Sequence, residues 1–105
     1  MLKDEIENAI EQRVKLHSED YFGTQKIWDK EIEILSRDMN QTIKFIENDC
    51  DDETFCWIGE VFEEVAARTQ SREFVDAIKR RAEKVVDDQS RKSIEVDIRY
   101  AECKL

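Results

Sequence analysis

Apolar side chains recur along this chain at intervals of three and four residues, the spacing that places them on one face of a helix. Ile6, Ile10 and Val14 form such a stripe and predict a first helix over residues 3–18. Tyr21, Phe22 and Gly23 are expected to break it, and Thr24 to cap a second helix. In that helix Trp28, Ile32, Leu35 and Met39 share a face flanked by Ile27 and Ile34. Asp38 followed three residues later by Gln41 has the form of a capping box, so a third helix is expected to start there and carry Ile43 and Ile46 inward. Residues 36–40 also permit one long helix. A fourth helix running to Arg68 turns Phe55, Ile58, Phe62 and Val65 to the core, joined by Val61 and Ala66. Ser71 caps a fifth with Phe74, Val75, Ile78, Ala82 and Val85, and a last helix carries Ile94, Ile98, Ala101 and Leu105. The fold class expected is all-α, with five to six antiparallel helices in a compact bundle or a short helical stack forming one domain over residues 1–105. Helix pairs of about thirty residues match a solenoid unit in size, so the pattern alone does not separate bundle from stack.

Composition supports this picture. The chain has 105 residues, no proline and only two glycines, Gly23 and Gly59, so strands joined by tight turns would lack their usual punctuation. Hydrophobic residues make up 40% and charged residues 41%, which suits a folded core under a heavily charged exterior. The first ten residues carry charge where a secretory signal needs an apolar run, and no stretch reaches the length of a membrane span. A cytoplasmic protein without membrane contact is therefore expected. Cys50, Cys56 and Cys103 fall in none of the paired spacings of zinc sites or disulfide frameworks and read as reduced thiols, one intramolecular disulfide being formally open.

Charge changes the picture more. The net charge is −9, and it is concentrated: between Lys44 and Arg68 there is no lysine or arginine, while Glu47, Asp49, Asp51, Asp52, Glu53, Glu60, Glu63 and Glu64 are all acidic. Carboxylates at residues 49–52 suit the positive end of a helix dipole. On an ideal fourth helix Glu53, Trp57, Glu60 and Glu64 fall on one side, opposite the core stripe, so an aromatic lies inside an acidic stripe. Such a face steers a cationic partner, and an exposed tryptophan can anchor the interface. These eight acidic residues and Trp57 are the candidate partner-binding set.

Candidate chemistry is sparse, and no enzymatic activity, cofactor or metal is expected. His17 is the only histidine, which removes metalloprotease motifs, carboxylate-histidine diiron sites and most acid-base dyads. Asp49, Asp51, Glu53, Phe55 and Glu60 match positions of a calcium loop, but Thr54 stands where its sharp turn needs glycine. Cys56 has no cation beside it in sequence to activate a nucleophile. Lys79, Arg80, Arg81, Lys84, Arg91 and Lys92 form a basic stretch interleaved with Asp76, Glu83, Asp87 and Asp88, read as ordinary helix-surface pairing and not as a nucleic-acid site.

The run FIENDCDDETFCWIGEVFEEVAARTQSREFVDAIKRRAEKV, followed by DIRYAECKL, resembles small α-helical immunity proteins of bacterial polymorphic toxin systems, including contact-dependent growth inhibition. The resemblance spans about residues 43–105 and lies in hydrophobic spacing and the acidic corner. It implies a cytosolic protein that binds and neutralises the toxic domain of a cognate effector. Such domains are frequently nucleases, RNases among them, whose basic cleft an acidic face can fill. The alternative is a helical adaptor or regulatory subunit that docks through an apolar groove. Oligomeric state is not expressed in the pattern.

Overall fold

The computed structural model describes residues 1–17 and 19–105. Helix α1, Leu2–Lys15, has Asp4 and Glu5 in its first turn and Arg13 and Lys15 in its last, matching the helix dipole at both ends. Its inward stripe is Ile6, Ala9 and Arg13, with Ile10 at the edge. Val14 is therefore not a core residue; it lies one position round from Arg13 and is 56% exposed. The helix ends before the predicted boundary because Leu16 is extended (φ −73°, ψ 146°), and Ser18 lies outside the described residues.

Helix α2, Tyr21–Arg37, starts where a break was expected. Asp20, not Thr24, is its cap, the carboxylate accepting the Gly23 N–H at 2.8 Å. Tyr21 and Phe22 then fall in the first turn and point to solvent. The buried face is Ile27, Glu31, Ile34 and Leu35, with Trp28, Ile32 and Met39 at its margin, a rotation of the face predicted from the larger side chains. Asp38 leaves helical geometry (φ −145°, ψ 98°) and accepts the Gln41 N–H at 3.3 Å, which settles the break in favour of two helices. The break frees the Leu35 carbonyl, and the buried Thr42 hydroxyl donates to it at 2.7 Å.

Helix α3, Met39–Lys44, passes directly into a π-helical turn, Phe45–Asp49. This wider turn lets the adjacent Phe45 and Ile46 both enter the core and leaves Ile43 half-buried. The predicted fourth helix is bent into α4, Asp52–Ile58, a 3₁₀ turn, Gly59–Val61, and α5, Phe62–Thr69. At Gly59 the last helix packs close against the chain: a Cβ there would sit 2.4 Å from the Ile94 Cδ1. Gln70 ends α5 in the left-handed region (φ 53°), its N–H donating to the Ala66 carbonyl. Ser71 caps α6, Arg72–Ala82, and Asp87 caps α7, Asp88–Glu102. Leu105, predicted inward, is 38% exposed.

Apart from Leu105, the expected stripes of α4 to α7 reach the core, where Phe62 meets Phe55 at 5.4 Å and Phe74 edge-on at 5.9 Å between ring centroids. Helices far apart in sequence share that core: α1 packs on α4 as well as α2, α2 on α5, and α7 on α5 and α6. A stack would confine contacts to neighbours, so the architecture is a bundle. With α4 to α5 taken as one bent helix there are six helices and no strand among the described residues. Among them no helix is long and apolar enough to cross a membrane.

Candidate functional site

The bundle separates the eight acidic residues and Trp57 of the predicted partner-binding set. Asp51 caps α4, accepting the Thr54 N–H at 2.8 Å, which holds its carboxyl below the usual range. Asp52 accepts from the Val86 N–H at 3.1 Å and from the Arg81 guanidinium at 2.7 Å, and these bonds hold its carboxyl below the usual range. Glu47 pairs with Arg80, and Glu63 with Lys104 at 3.3 Å. Asp49, Glu53 and Glu64 are exposed. The 3₁₀ turn takes Glu60 out of line with Glu53 and Glu64 and aims it at α1 and α2. There it accepts a forked pair of hydrogen bonds from Arg13 at 3.1 and 3.0 Å and one from the Trp28 indole N–H at 3.1 Å. Four cations from distant elements thus neutralise part of the corner that looked unpaired in sequence.

Trp57 stands half-buried between two grooves, with the Arg13 guanidinium carbon 5.4 Å from its ring centroid. On one side a groove of about 450 Å³ is walled by Asp52, Glu53, Glu60 and Asp87, with Cys56 and Val85 also lining it. On the other, a groove of about 320 Å³ is walled by Glu7, Glu11 and Glu53, with Ile10 and Thr54. Neither lining contains a lysine or arginine. Glu7, Glu11 and Glu53 have no ion-pair partner among the described residues. The acidic surface is thus assembled from α1, α4, the 3₁₀ turn and the α6–α7 corner. Glu7, Glu11 and Asp87 belong to it although sequence reasoning did not select them, because their proximity to Trp57 exists only after folding. Glu47 and Glu63 face other neighbours.

Behind the Glu60 wall lies Glu31, also missed. It is 1% exposed and neither carboxyl oxygen has a hydrogen-bond partner among the described residues. Burial, and then the negative charge of Glu60, push its pKa from 4.5 up to about 8, against a smaller pull from Arg13. The only sequence signal was positional: Glu31 stands four residues after Ile27 and three before Ile34, on the centre of the buried face.

The remaining groups are built into the scaffold. Arg81 is 8% exposed and donates to the Cys50 carbonyl through Nε and Nη2 while covering the Phe55 ring, so it staples the corner before α4. Arg80 pairs with Glu47, Lys79 with Glu102 and Arg91 with Asp88, which occupies much of the basic stretch. Arg81 does act on Cys56, contrary to the absence of a cation beside that residue in sequence. Burial outweighs it, raising the Cys56 thiol, and pushes Cys50 up to about 12. All three cysteines are free. His17 is exposed, its Nδ1 accepting the Glu19 N–H at 3.2 Å. The segment compared with a calcium loop enters α4 at Asp52 and so has helical geometry through its second half. Among the described residues no group of three or more His, Cys, Asp and Glu side chains converges to hold a metal ion. No protein-family model, curated protein or solved structure matches this chain.

Proposed function

We propose that the protein is a non-catalytic inhibitor of the immunity type, which binds the basic toxic domain of a cognate bacterial effector in the cytoplasm through the two grooves flanking Trp57. The observation that carries this reading is the pair of grooves: six carboxylates around one half-buried tryptophan, with no lysine or arginine in either lining. Carboxylates lining a groove can take the place of phosphates in a nuclease cleft, and an aromatic among them supplies apolar contact area. Arg13 illustrates the chemistry inside the molecule itself, its guanidinium lying over Trp57 while forking onto Glu60.

The test is to read the neighbouring reading frames and, where one ends in a small basic domain, to co-express that domain with this chain. The expected result is a stoichiometric complex, protection of the cell, and an affinity that falls as salt rises. Glu53→Lys, in the one acidic residue common to both grooves, should weaken the complex about tenfold or more while leaving the helical spectrum unchanged. Unaltered affinity in that variant removes the grooves from the interface. Glu60 is unsuitable for this purpose because its reversal would also break the Arg13 and Trp28 bonds.

A second reading, a helical adaptor, draws on Tyr21 and Phe22, which are 78% and 88% exposed at the start of α2. A complex formed there would resist salt and would be lost in Phe22→Ser, not in Glu53→Lys.

A further inference from the structure

Glu31 and Glu60 share one cation. The elements packed against α2 bring two charged groups to bear on Glu31, Glu60 from the 3₁₀ turn and Arg13 from α1, while α3 and α5 add none. Arg13 is committed to Glu60 by its forked bonds, and the Trp28 indole is bound to Glu60 as well, so the buried Glu31 carboxyl is left without a partner. Glu60 is at the same time part of the wall of the larger Trp57 groove. The groove and the buried carboxyl are thus connected through a single side chain. We propose that docking of a cationic partner beside Glu60 expels a proton from Glu31, so that occupation of the groove is coupled to the ionisation of a residue the partner does not touch.

This rests on the reading of the groove as the seat of a basic partner. A cation against Glu60 offsets the negative charge that holds the proton on Glu31 and leaves Arg13 freer to act on the newly formed carboxylate. Burial is unchanged, so the effect is a shift in occupancy and not a full release. Linkage then works in both directions: if binding releases a proton, affinity rises as proton concentration falls.

The experiment is calorimetric titration of an octa-arginine peptide into the protein and into Glu31→Gln at pH 6 and pH 8, at constant low salt and in buffers of different ionisation enthalpy. The protein is expected to bind about fivefold more tightly at pH 8 than the variant's own pH dependence accounts for. At neutral pH its heat should report proton release, and that release should be absent from Glu31→Gln. Glu31→Met, a second neutral replacement, should behave as Glu31→Gln does. His17 and Asp97, the latter also sensing Glu60, are common to all three proteins, so the difference isolates Glu31. Binding with the same pH dependence in all three overturns the coupling and leaves the groove standing. An absence of peptide binding at both pH values overturns the groove reading and the coupling together.

Discussion

Replacing Glu31 by glutamine should stabilise the fold, by an amount that grows with pH. In the unfolded chain this carboxyl ionises at its ordinary value of 4.5, whereas in the bundle it keeps its proton up to about 8. Between those limits the folded state binds more protons than the unfolded one, so stability falls as pH rises, by about 1.4 kcal/mol per unit. The loss is absent below 4.5, amounts to about 3 kcal/mol at pH 7, and levels off near 5 kcal/mol above the folded value. That is a large share of the roughly 5–15 kcal/mol that holds a small domain together. Glutamine has nearly the shape of the protonated acid and does not titrate, so it carries the same buried polar group without the ionisation term. Urea denaturation followed by far-ultraviolet circular dichroism, on both proteins at pH 4.5, 6, 7 and 8, gives the comparison directly. The two should be about equally stable at the lowest pH and diverge steadily above it. Other carboxylates titrate in both proteins and cancel in the difference. A gap that stays constant from pH 4.5 to pH 8 would refute the account of Glu31 as a proton-bearing core residue.

Further expectations follow from the packing. Gly59→Ala places a Cβ 2.4 Å from the Ile94 Cδ1 and 3.0 Å from an Asp97 carboxylate oxygen, and should lower stability by about 1–3 kcal/mol in urea titration. Arg81→Ala removes both bonds to the Cys50 carbonyl and the cation opposite Asp52, at a cost of about 3 kcal/mol, and hydrogen exchange should quicken first around Cys50. Phe22→Ser, at a position 88% exposed, should leave the unfolding free energy from urea titration within about 0.5 kcal/mol of the parent's.

Much of the bundle was legible in sequence because its signals are local. Phe55, Ile58, Phe62 and Val65, and likewise Phe74, Ile78 and Ala82, repeat at helical spacing and are all buried, while Asp38 and Ser71 cap the helices that their side chains suggested. Misreadings arose where two local signals competed. Asp20 and Thr24 are both good caps, and the first in the chain is used. Large side chains on α2 suggested a face centred on Trp28 and Ile32, but the centre is Ile27, Glu31 and Ile34, because an isolated charge in a helical stripe looks like a surface residue until its neighbours are known. The acidic site was half legible for a different reason. A run without lysine or arginine identifies excess charge along the chain, whereas Arg13, Arg80, Arg81 and Lys104 reach Glu60, Glu47, Asp52 and Glu63 across separations of 29 to 47 residues. Nothing in local spacing encodes those encounters.

The grooves beside Trp57 draw their walls from α1, α4, the 3₁₀ turn and the corner before α7, segments that have no fixed relation in an unfolded chain. A partner recognising that surface discriminates between conformations as well as between sequences. It passes over nascent or damaged copies, and by occupying only the folded state it raises the melting temperature with the logarithm of its own concentration once that exceeds Kd. Such a partner would thereby lengthen the lifetime of the folded chain.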